Sequence, residues 1–272
     1  MIREVFHIGS FSVSPFGVML ALAFLFAYFQ LRWGMQKLGT GDEDDASLLI
    51  IAGGVGGIVG AKVYFAILYH DWRLLLDRAG LVWYGGFVVG ALGVLWVIRS
   101  RKLSVWGVMD AAGPALALGY AVGRIGCFLV GDDYGLPTDS ALGVKFPVGP
   151  SPSTAEVLRT QFGVHLPASV PDNTLLAVHP TQLYETAMAL AIWGFGLWLV
   201  RREPREGTIA CSMLALLAVE RFLVEFLRAK DDRLLGMFTL AQALSVLLLV
   251  LVGGLWLIVR RRSRSAGAVP GA

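Results

Sequence analysis

Long apolar runs broken by short charged clusters set the pattern of this chain. Runs of roughly 18 or more residues, enough for a helix to cross a ~30 Å hydrocarbon layer, fall at about 14–33, 47–69, 81–98, 105–122, 182–200, 208–226 and 237–259. They predict an all-α polytopic membrane protein with about seven transmembrane helices. Glycine or proline marks the helix edges at Pro15, Gly80, Gly107, Pro204 and Gly236. The second run holds GGVGGIVGAKVYF (53–65), whose glycines let a neighbouring helix come close. The first run is too long for a cleaved signal peptide, and no small-residue cleavage site follows before Arg32.

One stretch, 123–180, breaks the rhythm. It is rich in Pro, Ser, Gly and Thr and predicts a long non-helical segment, a kind that is usually functional or disordered. Residues 1–264 are expected to form a single integral membrane domain, with SAGAVPGA (265–272) as a flexible tail.

Composition agrees with the pattern. Of 272 residues, 56% are hydrophobic and 16% charged, against about 25% charged in soluble domains. The basic groups concentrate in RSRK (99–102), RREPRE (201–206) and RRRSR (260–264), after runs three, five and seven. The positive-inside rule then places the C-terminus in the cytoplasm, with the N-terminus and the 123–180 segment outside. The basic balance therefore reflects membrane topology and gives no reason to expect nucleic acid. The acidic stretch GDEDDA (41–46) runs against the pattern, although acids weigh little in that rule. Cys127 and Cys211 fall near opposite membrane edges, much too far apart for a disulfide.

Charges inside apolar runs are costly and point to function. In ERFLVEFLRAKDD (220–232), Arg221, Glu225 and Arg228 are spaced i, i+4, i+7 and would share one helix face. Two guanidiniums around one carboxylate suit a phosphate, because arginine offers paired planar donors. A structural salt-bridge ladder is the plainer alternative.

GRIGCFLVGDDYG (123–135) places Arg124 at the same expected depth. Alone it also reads as a snorkelling arginine. Gly123 and Gly126 suggest a close approach to the backbone beside it. Asp132 and Asp133 read as loop acids or caps, and Lys62 as a paired or snorkelling group. HPTQLYE (179–185) reads as a helix entry at His179 and Pro180, with Gln182, Tyr184 and Glu185 able to face the bundle. GLVWYGGFVVG (80–90) places Tyr84 at the outer edge, and Gly85 and Gly86 leave a notch under its ring. His7, His70 and His165 are scattered without metal-ligand spacing, so no metal or cofactor is expected.

Together these motifs resemble the prolipoprotein diacylglyceryl transferase family. YGG (84–86), GRIGCFLVGDDYG (123–135), HPTQLYE (179–185) and RFLVEFLR (221–228) stand in the family's order, and the glycine–arginine motif after the fourth run is the specific one. The resemblance implies a bacterial inner-membrane enzyme with its site toward the extracytoplasmic side. It would move the diacylglyceryl group of phosphatidylglycerol to the lipobox cysteine of a preprolipoprotein, giving a thioether and glycerol 1-phosphate. Its partners would be phosphatidylglycerol and the signal-peptide helix. By motif position, Arg124 and Arg221 correspond to the family's essential arginines, with Glu225, Arg228 and Gly135 beside them. Catalysis would rest on Arg124, Arg221 and Tyr84. Substrate binding would involve Arg228, Glu225, Asp132, Gly135, Gly85, Gly86, Gln182, Tyr184 and Glu185.

The chain departs from the family pattern in having Tyr84 for histidine, Cys127 for asparagine and Asp132 for glutamate. Phe16 and Leu217 stand where tyrosine is often found. A non-enzymatic phospholipid- or lipoprotein-precursor-binding membrane protein is therefore the alternative. A transporter fits less well, because the charges gather at one face instead of the midplane.

Overall fold

The fold, taken from a computed structural model, is described over residues 6–8, 11–75, 82–229, 233–234 and 238–266. Seven longer helices account for the seven apolar runs: α1 (Pro15–Leu38), α2 (Glu43–Leu68), α3 (Trp83–Ser100), α4 (Val105–Val130), α6 (Thr181–Arg201), α7 (Thr208–Val224) and α8 (Leu240–Ala266). A short helix, α5 (Ala155–Thr160), lies in the long segment between α4 and α6. Two small antiparallel strand pairs add to the helical architecture, β1 (Phe6–Ile8) with β2 (Phe11–Val13) and β3 (Arg233–Leu234) with β4 (Phe238–Thr239).

Among the described residues, α1, α2, α4, α6 and residues 240–257 of α8 are long and apolar enough to cross a membrane. The described part of α3 is apolar but shorter, and α7 has 17 residues. Gly80 and Gly236, expected at helix edges, lie outside the described residues, as does most of the expected tail, since α8 runs to Ala266.

Local chemistry sets the helix ends. Ser14 accepts a hydrogen bond from the Gly17 amide ahead of Pro15, a donor-free residue suited to a first turn. Asp42 and Asp45 form a capping box at the start of α2. Asp45 also takes Arg101 Nε at 2.6 Å. The acidic stretch that ran against the charge pattern is thus partly offset, by Arg101 of the neighbouring basic cluster at Asp45 and Asp42 and by Arg32 at Glu43.

Helices α2 and α3 meet through glycine. A Cβ on Gly86 would lie 2.7 Å from the Gly57 carbonyl oxygen, and one on Gly56 3.1 Å from that of Val89. Gly85 and Gly60 face each other more closely still. This corrects the notch expected beneath Tyr84: the backbone of α2 fills it, because adjacent glycines let the helices touch.

Two apolar cores hold the bundle. Leu31, Met35, Leu49, Val97, Ile98 and Val108 join α1 through α4. Ala117, Ile192, Val200, Ile209 and Met213 join α4, α6 and α7. Asp110, buried on α4, accepts the Gly207 and Ala210 amides at 2.7 Å each, capping α7 from a neighbouring helix. Helix α8 packs along α7.

The 123–180 segment differs from its expectation. Its first residues complete α4, which runs on through Gly123 and Gly126 and ends only at Gly131, a left-handed cap at φ 76°. The rest folds around its own core of Tyr134, Phe146, Leu158 and Val178, joined by Ala229. Tyr134 stacks on Phe146 with ring centroids 5.3 Å apart and donates to the Pro152 carbonyl at 3.1 Å.

Candidate active site

Because α4 continues to Val130, Arg124 sits inside the helix and is buried, which rules out a snorkelling side chain. A buried guanidinium needs a counter-charge. It has two. Glu185, fully buried on α6, accepts from Arg124 Nε at 2.5 Å and also pairs with Nη2. Asp133 accepts from Nη1 at 3.0 Å. Tyr120, one turn back on α4, donates to the other Glu185 oxygen at 3.0 Å, and its ring lies 5.8 Å from the guanidinium carbon. Cys127 Sγ is 3.7 Å from Arg124 Nη1. Both cysteines are free, as their positions led us to expect.

The Arg221–Glu225–Arg228 set is not a single helical ladder. Helix α7 stops at Val224, and the chain turns through 225–227. Glu225 remains the shared carboxylate, 2.5 Å from Arg221 Nη1 and 3.8 Å from Arg228 Nε. Beyond the turn, Arg228 Nη2 reaches Asp133 Oδ1 at 2.7 Å. The bend therefore brings Arg228 to the same carboxylate that holds Arg124. An unbroken helix would have sent it along the α7 axis.

Gly135 makes this meeting possible. Its amide donates to the His179 carbonyl at 2.8 Å, it forms an isolated antiparallel bridge with Arg228, and the Leu136 amide donates to the Leu227 carbonyl at 2.7 Å. A Cβ there would strike the Leu227 carbonyl and the side chains of Thr181 and His179. Three chain segments cross at a point that only glycine fits. By contrast, Gly126 faces Met19 and Phe16, while nothing lies within 4 Å of a Cβ at Gly123. The close approach expected at Gly123 is therefore absent, and space opens beside Arg124.

The start of α6 holds the acidic turn. Gln182 Nε2 donates to the Asp132 carbonyl at 2.6 Å, and the Thr181 hydroxyl to that of Asp133 at 3.0 Å. Gln182 Oε1 is buried and lacks a hydrogen-bond partner. The Asp132 side chain caps the Asp133 amide at 2.9 Å. Burial, with the Asp133 charge beside it, pushes the Asp132 carboxyl up from its ordinary value. Burial would raise Asp133 as well, but Arg228 and Arg124 outweigh it and hold that carboxyl below the usual range. Tyr184 turns to His179, with its hydroxyl 3.4 Å from Nδ1. Tyr84 is half exposed near the start of α3, a helix that packs on α2 and barely touches α4.

Three participants escape a motif reading. Asp133 joins two arginines. Tyr120 and Glu220 border Glu185 and Arg124, and Glu220 is buried with Oε1 lacking a hydrogen-bond partner. The available signal was helical spacing, since Tyr120, Arg124 and Cys127 fall at i, i+4, i+7 on α4. An apolar cavity of about 380 Å³ lies lower among α1, α2, α3 and α4, lined by Phe24, Leu31, Leu49, Phe87, Val94 and Leu116 among others. Along α4, Leu116 is about 12 Å from Arg124 at 1.5 Å per residue.

Comparison with known proteins points to one family. The family model described as prolipoprotein diacylglyceryl transferase matches residues 3–260. The phosphatidylglycerol–prolipoprotein diacylglyceryl transferase of Xanthomonas axonopodis pv. citri (strain 306) is 33% identical over 276 residues, covering 95% of this chain and 90% of the relative. That of Vibrio vulnificus (strain CMCP6) is 32% identical over 268 residues, covering 93% and 89%. The Clostridium tetani (strain Massachusetts / E88) protein is 29% identical over 256 residues, covering 91% and 93%.

Proposed function

The chain belongs to the prolipoprotein diacylglyceryl transferase family, and from that premise we propose that it transfers the diacylglyceryl group of phosphatidylglycerol to the lipobox cysteine thiol of a preprolipoprotein. The observation that carries the reading is the convergence of Arg124 and Arg228 on one anion position, with Arg221 tied in through Glu225. Paired guanidiniums around a carboxylate are equally suited to a lipid phosphate.

The sulfur attacks the terminal glycerol carbon, and the carbon–oxygen bond breaks with its electron pair going to the phosphate. The thiolate is the competent nucleophile, so the thiol proton must leave, and the departing phosphate can take it through water. Charge grows on that phosphate as the bond breaks. Arginines fixed beforehand by buried carboxylates favour this transition state, because they need not reorganise. The apolar cavity below supports a place for acyl chain, holding the glycerol in line. Tyr84 orients the headgroup. The protein is one integral domain of seven spans in the bacterial inner membrane, with the N-terminus and the site outside. The signal-peptide helix reaches the site from within the bilayer.

The test uses purified full-length protein, phosphatidylglycerol and a lipobox peptide, with released glycerol phosphate as the readout. Release supports the transferase. Binding of phosphatidylglycerol without release would identify a lipid-binding member of the family instead.

A further inference from the structure

We infer that Asp133 is a tethered occupant of the phosphate position, displaced by the substrate headgroup and returning to expel glycerol phosphate. The inference rests on the transferase reading above. Asp133 places one oxygen on each of two arginines, Oδ2 on Arg124 Nη1 at 3.0 Å and Oδ1 on Arg228 Nη2 at 2.7 Å. Two non-bridging phosphate oxygens would make the same pair of contacts.

The three carboxylates around these arginines are unequal. The side chains of Glu185 and Glu225 are 0% and 1% exposed, whereas that of Asp133 is 41% exposed. When Asp133 leaves, Arg124 keeps its hydrogen-bonded pair with Glu185, while Arg228 keeps a charge 3.8 Å from Glu225 without a hydrogen bond and so offers free donors to the incoming phosphate. Only the Asp133 side chain has to move, since its backbone is pinned by the Thr181 hydroxyl and by the Asp132 side chain. Its φ of 62° places it in the left-handed region, where a short polar residue or glycine is tolerated.

Charge makes the exchange selective. A phosphodiester carries one negative charge and replaces one carboxylate, so the site's balance is unchanged. The product is a phosphate monoester, which carries up to about two charges near neutral pH and would otherwise be slow to leave two arginines. A tethered carboxylate competes at high effective concentration and favours release.

Asp133→Asn and Asp133→Gly both suit the backbone and remove the competing charge. Steady-state transfer in mixed micelles is measured for the full chain and both variants, with added glycerol 1-phosphate as inhibitor. The expected result is a KM for phosphatidylglycerol and a product inhibition constant each lowered roughly fivefold or more, with a lower kcat. A KM and inhibition constant that stay level or rise would overturn the inference and make Asp133 a scaffold for the arginines. Failure of both variants to fold counts against it in the same way.

If the unmodified chain shows no transfer, it is the transferase reading that fails. Calorimetric binding of inorganic phosphate to the three proteins then decides on Asp133 alone. Tighter binding in the variants supports displacement, and equal or weaker binding overturns it.

Discussion

Glu185 on α6 holds two nitrogens of Arg124 on α4, 61 residues away in the chain, and neither side chain has more than slight contact with solvent. The plane of the guanidinium is therefore set before any ligand arrives. Glu185→Gln keeps the volume but leaves a buried cation short of its counter-charge. We expect a stability loss of about 3–5 kcal/mol, seen as a lower Tm in detergent, together with loss of transfer. An unchanged Tm would show that Asp133 alone can carry Arg124.

Arg124→Lys and Arg221→Lys should each cost most of the transfer rate, on the order of a hundredfold, while circular dichroism stays helical. Lysine keeps the charge but loses the planar fork, which at Arg124 meets Glu185 through two nitrogens and at Arg221 pairs with Glu225. Near-normal rates in either variant would mean that a point charge suffices there.

Much of the helical architecture was legible from apolar run lengths, because a segment that crosses lipid must satisfy its backbone within itself. The site was legible only in part. Arg124, Arg221, Glu225 and Arg228 stand out as charges in or beside apolar runs, yet their pairing depends on contacts between distant segments. Helical spacing implied one ladder for Arg221, Glu225 and Arg228. The turn after Val224 broke it, and that turn is stabilised by the bridge from Arg228 to Gly135. Asp133 looked like a loop acid because its partners lie 9 and 95 residues away. The core of Tyr134, Phe146, Leu158 and Val178 was hidden by the Pro, Gly and Ser content around it.

Tyr84 offers a phenol near the start of α3, and a phenol is a poorer base than an imidazole. Tyr84→Phe should slow transfer roughly tenfold, about 1.4 kcal/mol in barrier, without moving the pH optimum. A pH–rate profile in which the alkaline limb shifts in the variant would make Tyr84 the base and refute the orienting role.

Glycines in this bundle should separate into two kinds. Gly86→Ala forces a methyl to 2.7 Å from the Gly57 carbonyl oxygen, so α2 and α3 must part and the Tm should drop. Gly123→Ala meets nothing within 4 Å and should stabilise α4 by up to about 1 kcal/mol. If the space beside Gly123 admits the lipid, the same variant will raise the KM for phosphatidylglycerol. Thermal unfolding and kinetics of both variants check this.

Topology is tested at Ser151, in the segment expected to lie outside. A cysteine there should react in intact cells with a reagent that cannot cross the membrane, above the background of the unmodified chain. Protection of that cysteine in folded protein would reverse the assigned orientation.

The crossing at Gly135 also orders the events of biogenesis. Arg124 enters the membrane with α4, but Glu185 emerges from the ribosome 61 residues later. Arg228 follows Asp133 by 95 residues. Until α6 is made, the insertion machinery must shelter an arginine without its buried partner, in a helix whose other charged residue, Asp110, waits for the α7 amides. Until the turn beyond α7 is made, the strand of chain at Gly135 has nothing to bridge. A nascent chain halted before α6 would therefore be a poor lipid-soluble species and a ready target for quality-control proteolysis. The protein becomes self-sufficient in the bilayer only when nearly its whole length has been translated.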